Sequence, residues 1–169
     1  ADSEDMAKSV ARQSNVVLVP AFVGLGAPHW NMDARGAIFG LTRDTSREEI
    51  VMAALKAIAL QSRDLVEAME EDTGTAIPEL RVDGGATKNS FLMQFQADIL
   101  GIPVLLPEIT ESTALGAAYL AGVTGGVYGS ISEIAKNNKI SSKYNPGMDK
   151  AVREHQIAIW KDAIRRLLL

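Results

Sequence analysis

Asp83-Gly84-Gly85-Ala86, with Asn89 three residues beyond, is the segment best suited to chemistry on a charged ligand. Paired glycines leave backbone N–H groups open and admit a ligand where a Cβ would obstruct it. The helix expected to follow adds unpaired donors and the positive end of its dipole, which together suit a phosphate. In open α/β sheets, ligands also lie beyond the carboxyl ends of parallel strands. The same residues describe a tight strand-to-helix turn with no ligand, and both readings stand. Asn89 offers an amide donor and an acceptor that match the edge of an adenine. Asparagine is equally among the best helix N-caps. Asp83 reads as structural, tying the Gly84–Gly85 turn.

Other chemistries find less support. The glycine cluster Gly24-Leu25-Gly26-Ala27-Pro28-His29-Trp30 has His29 where a dinucleotide fingerprint needs its third glycine, and no Gly-Lys-Ser/Thr triplet occurs anywhere. That argues against a dinucleotide oxidoreductase and a P-loop enzyme. His29 and His155 are far apart and in no ligand-spaced pattern, so no metal site is expected and His29 reads as a packed loop residue. Asp33, Asp44 and Asp83 fall in loops or at strand ends, and none stands out as a general base.

Composition narrows the classes further. The absence of cysteine excludes disulfides, thiolate metal sites and cysteine nucleophiles, and fits a reducing cytoplasm. Seventeen basic against twenty-one acidic residues, a net charge of −4, argue against nucleic-acid binding. No apolar run reaches the roughly 18–20 residues that span a bilayer. The N-terminus shows no basic-then-apolar leader. A cytoplasmic protein is expected, and an alanine at position 1 is compatible with a piece of something longer.

The elements that must position these residues follow from periodicity. Residues 2–13 read as a short amphipathic helix carrying Met6, Ala7 and Val10 on one face. Val16–Val19 reads as a buried strand stopped by Pro20, and Gly36–Leu41 as another, with glycines where something must come close. Ser46 and Glu49 form a capping box. The helix it opens carries Val51, Leu55, Ile58, Leu65 and Met69 on one stripe, widened by Ala53, Ala54 and Ala57. Leu80–Val82 is a short strand, 89–100 a helix with Leu92, Phe95 and Ile99 on one face, and Pro103–Leu106 a strand closed by Pro107. Residues 112–124 form a helix of small residues, suited to close packing or to walling a nucleotide pocket. Ser130 with Glu133 caps a further short helix. A loop over Ser141–Gly147 leads to a last helix in which Val152, Ile159, Ala163 and Leu167 align. The alternation predicts an α/β fold with parallel strands and right-handed crossovers.

These segments resemble the FGGY family of carbohydrate kinases, and within it the glycerol kinases. The resemblance is carried by Val19-Pro20-Ala21-Phe22, Gly24–Trp30 and Ala34–Thr42. It continues through Arg81–Ala86, Asn89, Phe91–Leu100 and Thr113–Gly122. It implies an actin-like, ribonuclease H-like α/β fold, the FGGY C-terminal domain truncated at its N-terminal strands. On that reading residues 1–169 are a single partial domain, with a core at about 14–126 and a C-terminal helical extension over 127–169.

In the full-length enzyme the resemblance implies transfer of the γ-phosphoryl of ATP, with Mg2+, to glycerol, giving sn-glycerol 3-phosphate. Gly85 would then contact the nucleotide through its backbone and Asn89 would reach the adenine, with Gly84 a lesser contact. The catalytic aspartate, the glycerol-binding side chains and the phosphate loop are expected upstream of residue 1, so this chain alone is expected to be inactive. A homo-oligomer is also expected. Lys56 departs from the family signature, where an acidic residue or glutamine is usual. Two alternatives remain: another FGGY sugar or polyol kinase, or a non-catalytic assembly module whose open sheet edge pairs with another chain.

Overall fold

A computed structural model describes residues 2–11, 14–109, 111–135 and 139–169. The described residues form two small sheets and six α-helices. In the first sheet β1 (Val17–Val19) and β2 (Ala37–Phe39) run antiparallel, with Leu18 opposite Ile38. In the second, β3 (Leu80–Arg81) and β4 (Val104–Pro107) run parallel, and β5 (Ile140–Tyr144) adds antiparallel to β4. The helices are α1 (Asp2–Ser9), α2 (Arg47–Thr73), α3 (Ser90–Leu100), α4 (Ser112–Thr124), α5 (Ile131–Ala135) and α6 (Lys150–Leu167). The fold is α/β, as expected. Among the described residues one strand pair is parallel, joined by a crossover through α3, and the other two pairs are antiparallel where parallel strands were expected.

Local chemistry sets several of these boundaries. Ser46 Oγ accepts from Glu49 N at 3.3 Å while the Glu49 carboxylate accepts from Ser46 N at 2.9 Å, so the capping box opens α2 as its sequence requires. Gly74 closes the helix in the left-handed conformation, its N–H bonded to Glu70 O. Gly40 shows why a glycine punctuates the end of β2: a Cβ there would lie 2.3 Å from Asn15 O. The first helix ends at Ser9, short of the expected residue 13, and residues 12 and 13 lie outside the described set.

The core forms where α2 packs on α1, α3 and β1, with α6 closing over β1 and α3. Trp160, Leu92, Ile99, Val19 and Val104 are its largest fully buried side chains. Leu92, Phe95 and Ile99 are all buried, as the spacing along α3 requires.

Of the face read along α2, Ala53 and Ala57 are buried, but its larger residues are not. Ile58, Leu65 and Met69 are 46%, 44% and 58% exposed, whereas Met52, Ala53, Ala57, Ala59 and Leu60 face the core. Small side chains let α1 and α3 approach closely, so the alanine-rich flank turns inward and the larger residues turn out. The stripe read along α6 holds towards its C-terminal end, where Ala163 is buried and Leu167 packs against the core. Val152 is exposed, and Trp160, Ala163 and Ile164 are buried.

Two further expectations need correction. Residues 140–144 form β5 where a loop was expected. Ile-Ser-Ser-Lys-Tyr lacks apolar alternation, but as an edge strand it needs only backbone pairing to β4. The small-residue helix α4 buries none of its residues and, among the described residues, packs extensively on no other element. A close approach within this region is local: a Cβ on Gly122 would lie 2.7 Å from the Tyr128 ring.

Candidate functional site

The carboxyl ends of the parallel pair β3 and β4 open into a groove of about 440 Å³. It is lined by Arg81, the last residue of β3, with Val82 and Asp83 beyond it, and by Pro107, the last residue of β4, with Glu108 and Ile109 beyond it. The facing wall comes from Ser112, Leu115, Gly116 and Tyr119 of α4. Helix α4 thus walls a cavity with two small residues, Ser112 and Gly116, and two large ones, Leu115 and Tyr119.

Asp83-Gly84-Gly85 leaves β3 at the rim of this groove. Gly84 adopts φ 84° and ψ 175°, a conformation that side chains strongly disfavour, and a single 3-10 turn follows over Gly85–Lys88. A Cβ on Gly85 would meet nothing within 4 Å, so its backbone faces open space. The turn is tied by Thr87, a residue the sequence did not single out. Its hydroxyl donates to Gly84 O at 2.6 Å and its N–H to the same oxygen at 3.2 Å. Asp83 does not tie the turn: its side chain is exposed, and no hydrogen bond of its carboxylate occurs among the described residues. The buried Thr87 hydroxyl does that work from the inside, which leaves Asp83 directed to the groove.

Asn89 is the N-cap of α3. Its Oδ1 accepts from Leu92 N at 2.9 Å, and its Nδ2 donates to Ser3 Oγ across 3.4 Å. The cap consumes the acceptor and leaves the amide donor with one weak partner. Gly85 and Asn89 are brought together by a single turn, although neither lines the groove itself.

His29 is packed, as expected, with Nε2 3.3 Å from Asp64 Oδ2. Asp64 is buried and also accepts from Trp160 Nε1 at 2.7 Å. This cluster pins the loop before β2 to α2 and α6, away from the groove. Among the described residues no three acidic or histidine side chains converge on a metal position. A Mg2+ ion held mainly by nucleotide phosphates needs no such cage.

The model of the FGGY family of carbohydrate kinases, C-terminal domain, matches residues 1–125. The chain belongs to this family. Its fold is that domain's, of the actin-like, ribonuclease H-like type. It is 54% identical over 167 residues to the glycerol kinase of Pseudothermotoga lettingae, covering 99% of this chain and 34% of that protein. It is 56% identical over 167 residues to the glycerol kinase of Clostridium botulinum, with the same shares covered. The solved glycerol kinase of Plasmodium falciparum with ADP superposes on 99% of this FGGY chain and 34% of its own, at TM-score 0.88 and 35% identity. A ligand-bound xylulose kinase from Lactobacillus acidophilus follows at TM-score 0.83 and 27% identity, with the same coverage. The chain therefore spans about a third of the length of these relatives.

Proposed function

We propose that this chain forms the nucleotide side of an ATP-dependent glycerol kinase, and that it turns over no glycerol by itself. The observation that carries the reading is the open backbone of Gly84–Gly85 beside a groove at the carboxyl ends of β3 and β4. Its kinship supports glycerol over other substrates: identities above 50% are to glycerol kinases, against 27% to the xylulose kinase.

In this reading Gly85 receives the nucleotide along its backbone, and the Nδ2 of Asn89 exchanges its long contact with Ser3 Oγ for the adenine edge. ATP brings Mg2+ with its phosphates, and the γ-phosphoryl passes to a terminal hydroxyl of glycerol. Such a transfer depends on positioning and charge stabilisation, so a domain that fixes the nucleotide contributes without a catalytic side chain. On this reading the catalytic aspartate and glycerol-binding groups would come from the rest of the full-length enzyme, since this chain spans 34% of the Pseudothermotoga lettingae relative. Closure of that part onto the groove would exclude water from the transfer. A cytoplasmic, homo-oligomeric protein completes the reading. The lack of cysteine supports the first, and the exposed apolar side chains Phe22, Val23, Trp30 and Met32 support burial against further protein.

Calorimetric titration of Mg-ATP into the chain and its Gly85→Asp variant tests this. Gly85 has room for a side chain, so the variant is expected to fold while losing nucleotide affinity. Equal binding by both proteins would remove Gly85 from the site. Glycerol-dependent ADP release from the chain alone would refute the division of labour.

A further inference from the structure

On the face of the molecule formed by α2, α3 and α6, the largely buried Lys56 lines a cavity of about 650 Å³. Met52, Phe91, Phe95, Met148 and Val152 give it apolar walls. The ammonium lies 5.3 Å from the Phe95 ring centroid and donates one long hydrogen bond, 3.4 Å, to Gln156 Oε1. No ion pair of Lys56 occurs among the described residues.

The titratable groups facing it are Lys8 from α1, Asp98 from α3 and Tyr144 from β5, while α6 presents the neutral Val152 and Gln156. Asp98 is already engaged, its Oδ1 accepting from Gly147 N at 2.7 Å, Gln94 Nε2 at 3.0 Å and Met148 N at 3.2 Å. Lys8 differs from Lys56 in one respect that matters. It shares the cavity but is ion-paired to Glu4. A desolvated cation without a carboxylate is costly, whereas the neutral amine is not. Burial accordingly pushes the Lys56 amine below the ordinary lysine value.

We propose that Lys56 is a nucleophilic lysine, the preferred site on this chain for acylation by small acyl phosphates. The neutral Nζ attacks the acyl carbon, a C–N bond forms, the C–O bond to phosphorus-bound oxygen breaks and inorganic phosphate leaves. The surplus amine proton passes to solvent. The amide product suits its surroundings better than the cation: it carries no charge, keeps an N–H for Gln156 Oε1, and sets a methyl group among apolar walls.

The chain incubated with acetyl phosphate at about pH 7.5 and followed by peptide mass spectrometry contains its own control. Lys56 is expected to acquire acetyl groups at least about threefold faster than Lys8, because burial favours its neutral, nucleophilic amine and it lacks the ion pair that Lys8 makes with Glu4. Val152→Glu places a carboxylate at the cavity rim, on an exposed position in the first turn of α6 where an acidic residue suits the helix dipole. It is expected to slow Lys56 to the Lys8 rate. Lys56 reacting no faster than Lys8, or an unaltered ratio in a folded Val152→Glu protein, overturns the proposal.

Discussion

Trp160 Nε1 donates to Asp64 Oδ2 at 2.7 Å, joining α6 to α2 across 96 residues of sequence. The indole is the largest fully buried side chain in the molecule, and the carboxylate that receives it is buried as well. His29 lies against the same oxygen at 3.3 Å, and Arg63 stands 3.6 Å from Oδ1. A buried carboxylate is tolerated because each neighbour compensates part of its desolvation.

Trp160→Phe keeps most of the ring and removes only the donor. Hydrogen bonds to charged groups, and the cost of leaving one partner unmet in the interior, predict a loss of about 1–3 kcal/mol. Urea denaturation with an unchanged slope checks it. A loss well under 0.5 kcal/mol, on the order of an ordinary surface substitution, would mean the bond only marks a contact that packing already secures.

Glu4 docks α1 onto the start of α3. Its carboxylate accepts from the Lys8 ammonium, the Ser90 hydroxyl and, at 3.1 Å, the Ser90 N–H. The Lys8 hydrogen bond first, then those from Ser90, lower its pKa from 4.5 to about 2. A folded-state pKa below the unfolded value means that the contribution is complete above pH 4.5 and fades as pH falls towards about 2. Glu4→Gln is expected to destabilise the chain at neutral pH and to unfold along the wild-type curve below about pH 2, where the wild-type carboxyl is itself protonated. Acid titrations of both proteins by circular dichroism make the comparison. A constant difference down to the lowest pH would assign the effect to shape and leave charge no part.

How much of this was legible in the sequence depended on whether a single residue could carry the signal. Ser46 with Glu49 announced the start of α2, and Leu92, Phe95 and Ile99 announced the buried face of α3, because short-range chemistry fixes both. The buried face of α2 was legible only in Ala53 and Ala57, since apolar residues occur on both flanks and periodicity satisfies either one. Only the close approach of α1 and α3 selects the alanines. Polar β5 was hidden because an edge strand can be held by its backbone alone. At the site, the glycines and Asn89 could be read as a turn and a cap, but Thr87 could not. Its role depends on facing inward beneath a turn that only the folded chain defines.

Asn89→Asp separates two duties of one side chain. Aspartate caps helices as well as asparagine does, so the hydrogen bond to Leu92 N is retained and stability is expected to stay within about 0.5 kcal/mol of wild type. The Nδ2 donor, however, is lost. Mg-ATP affinity is therefore expected to fall, whereas Asn89→Ala is expected to lose about 1 kcal/mol of stability as well. Thermal denaturation and calorimetry on the two variants read the duties independently. Unchanged nucleotide affinity in a well-folded Asn89→Asp protein would confine the residue to capping.

Adjacent glycines at the rim of the groove are expected to respond in opposite ways. Gly84 stands at φ 84°, so Gly84→Ala forces a Cβ into a disfavoured backbone region and should cost about 1–3 kcal/mol. Gly85 has no such constraint, and a methyl group there would have no neighbour within 4 Å, so Gly85→Ala should fold within about 0.5 kcal/mol of wild type. Any penalty for the second variant then falls on what approaches the turn from outside. Unfolding curves and Mg-ATP titrations of the pair distinguish a glycine kept for the chain from one kept for a ligand. If both variants lose stability and neither loses affinity, the turn is a structural corner and the nucleotide sits elsewhere.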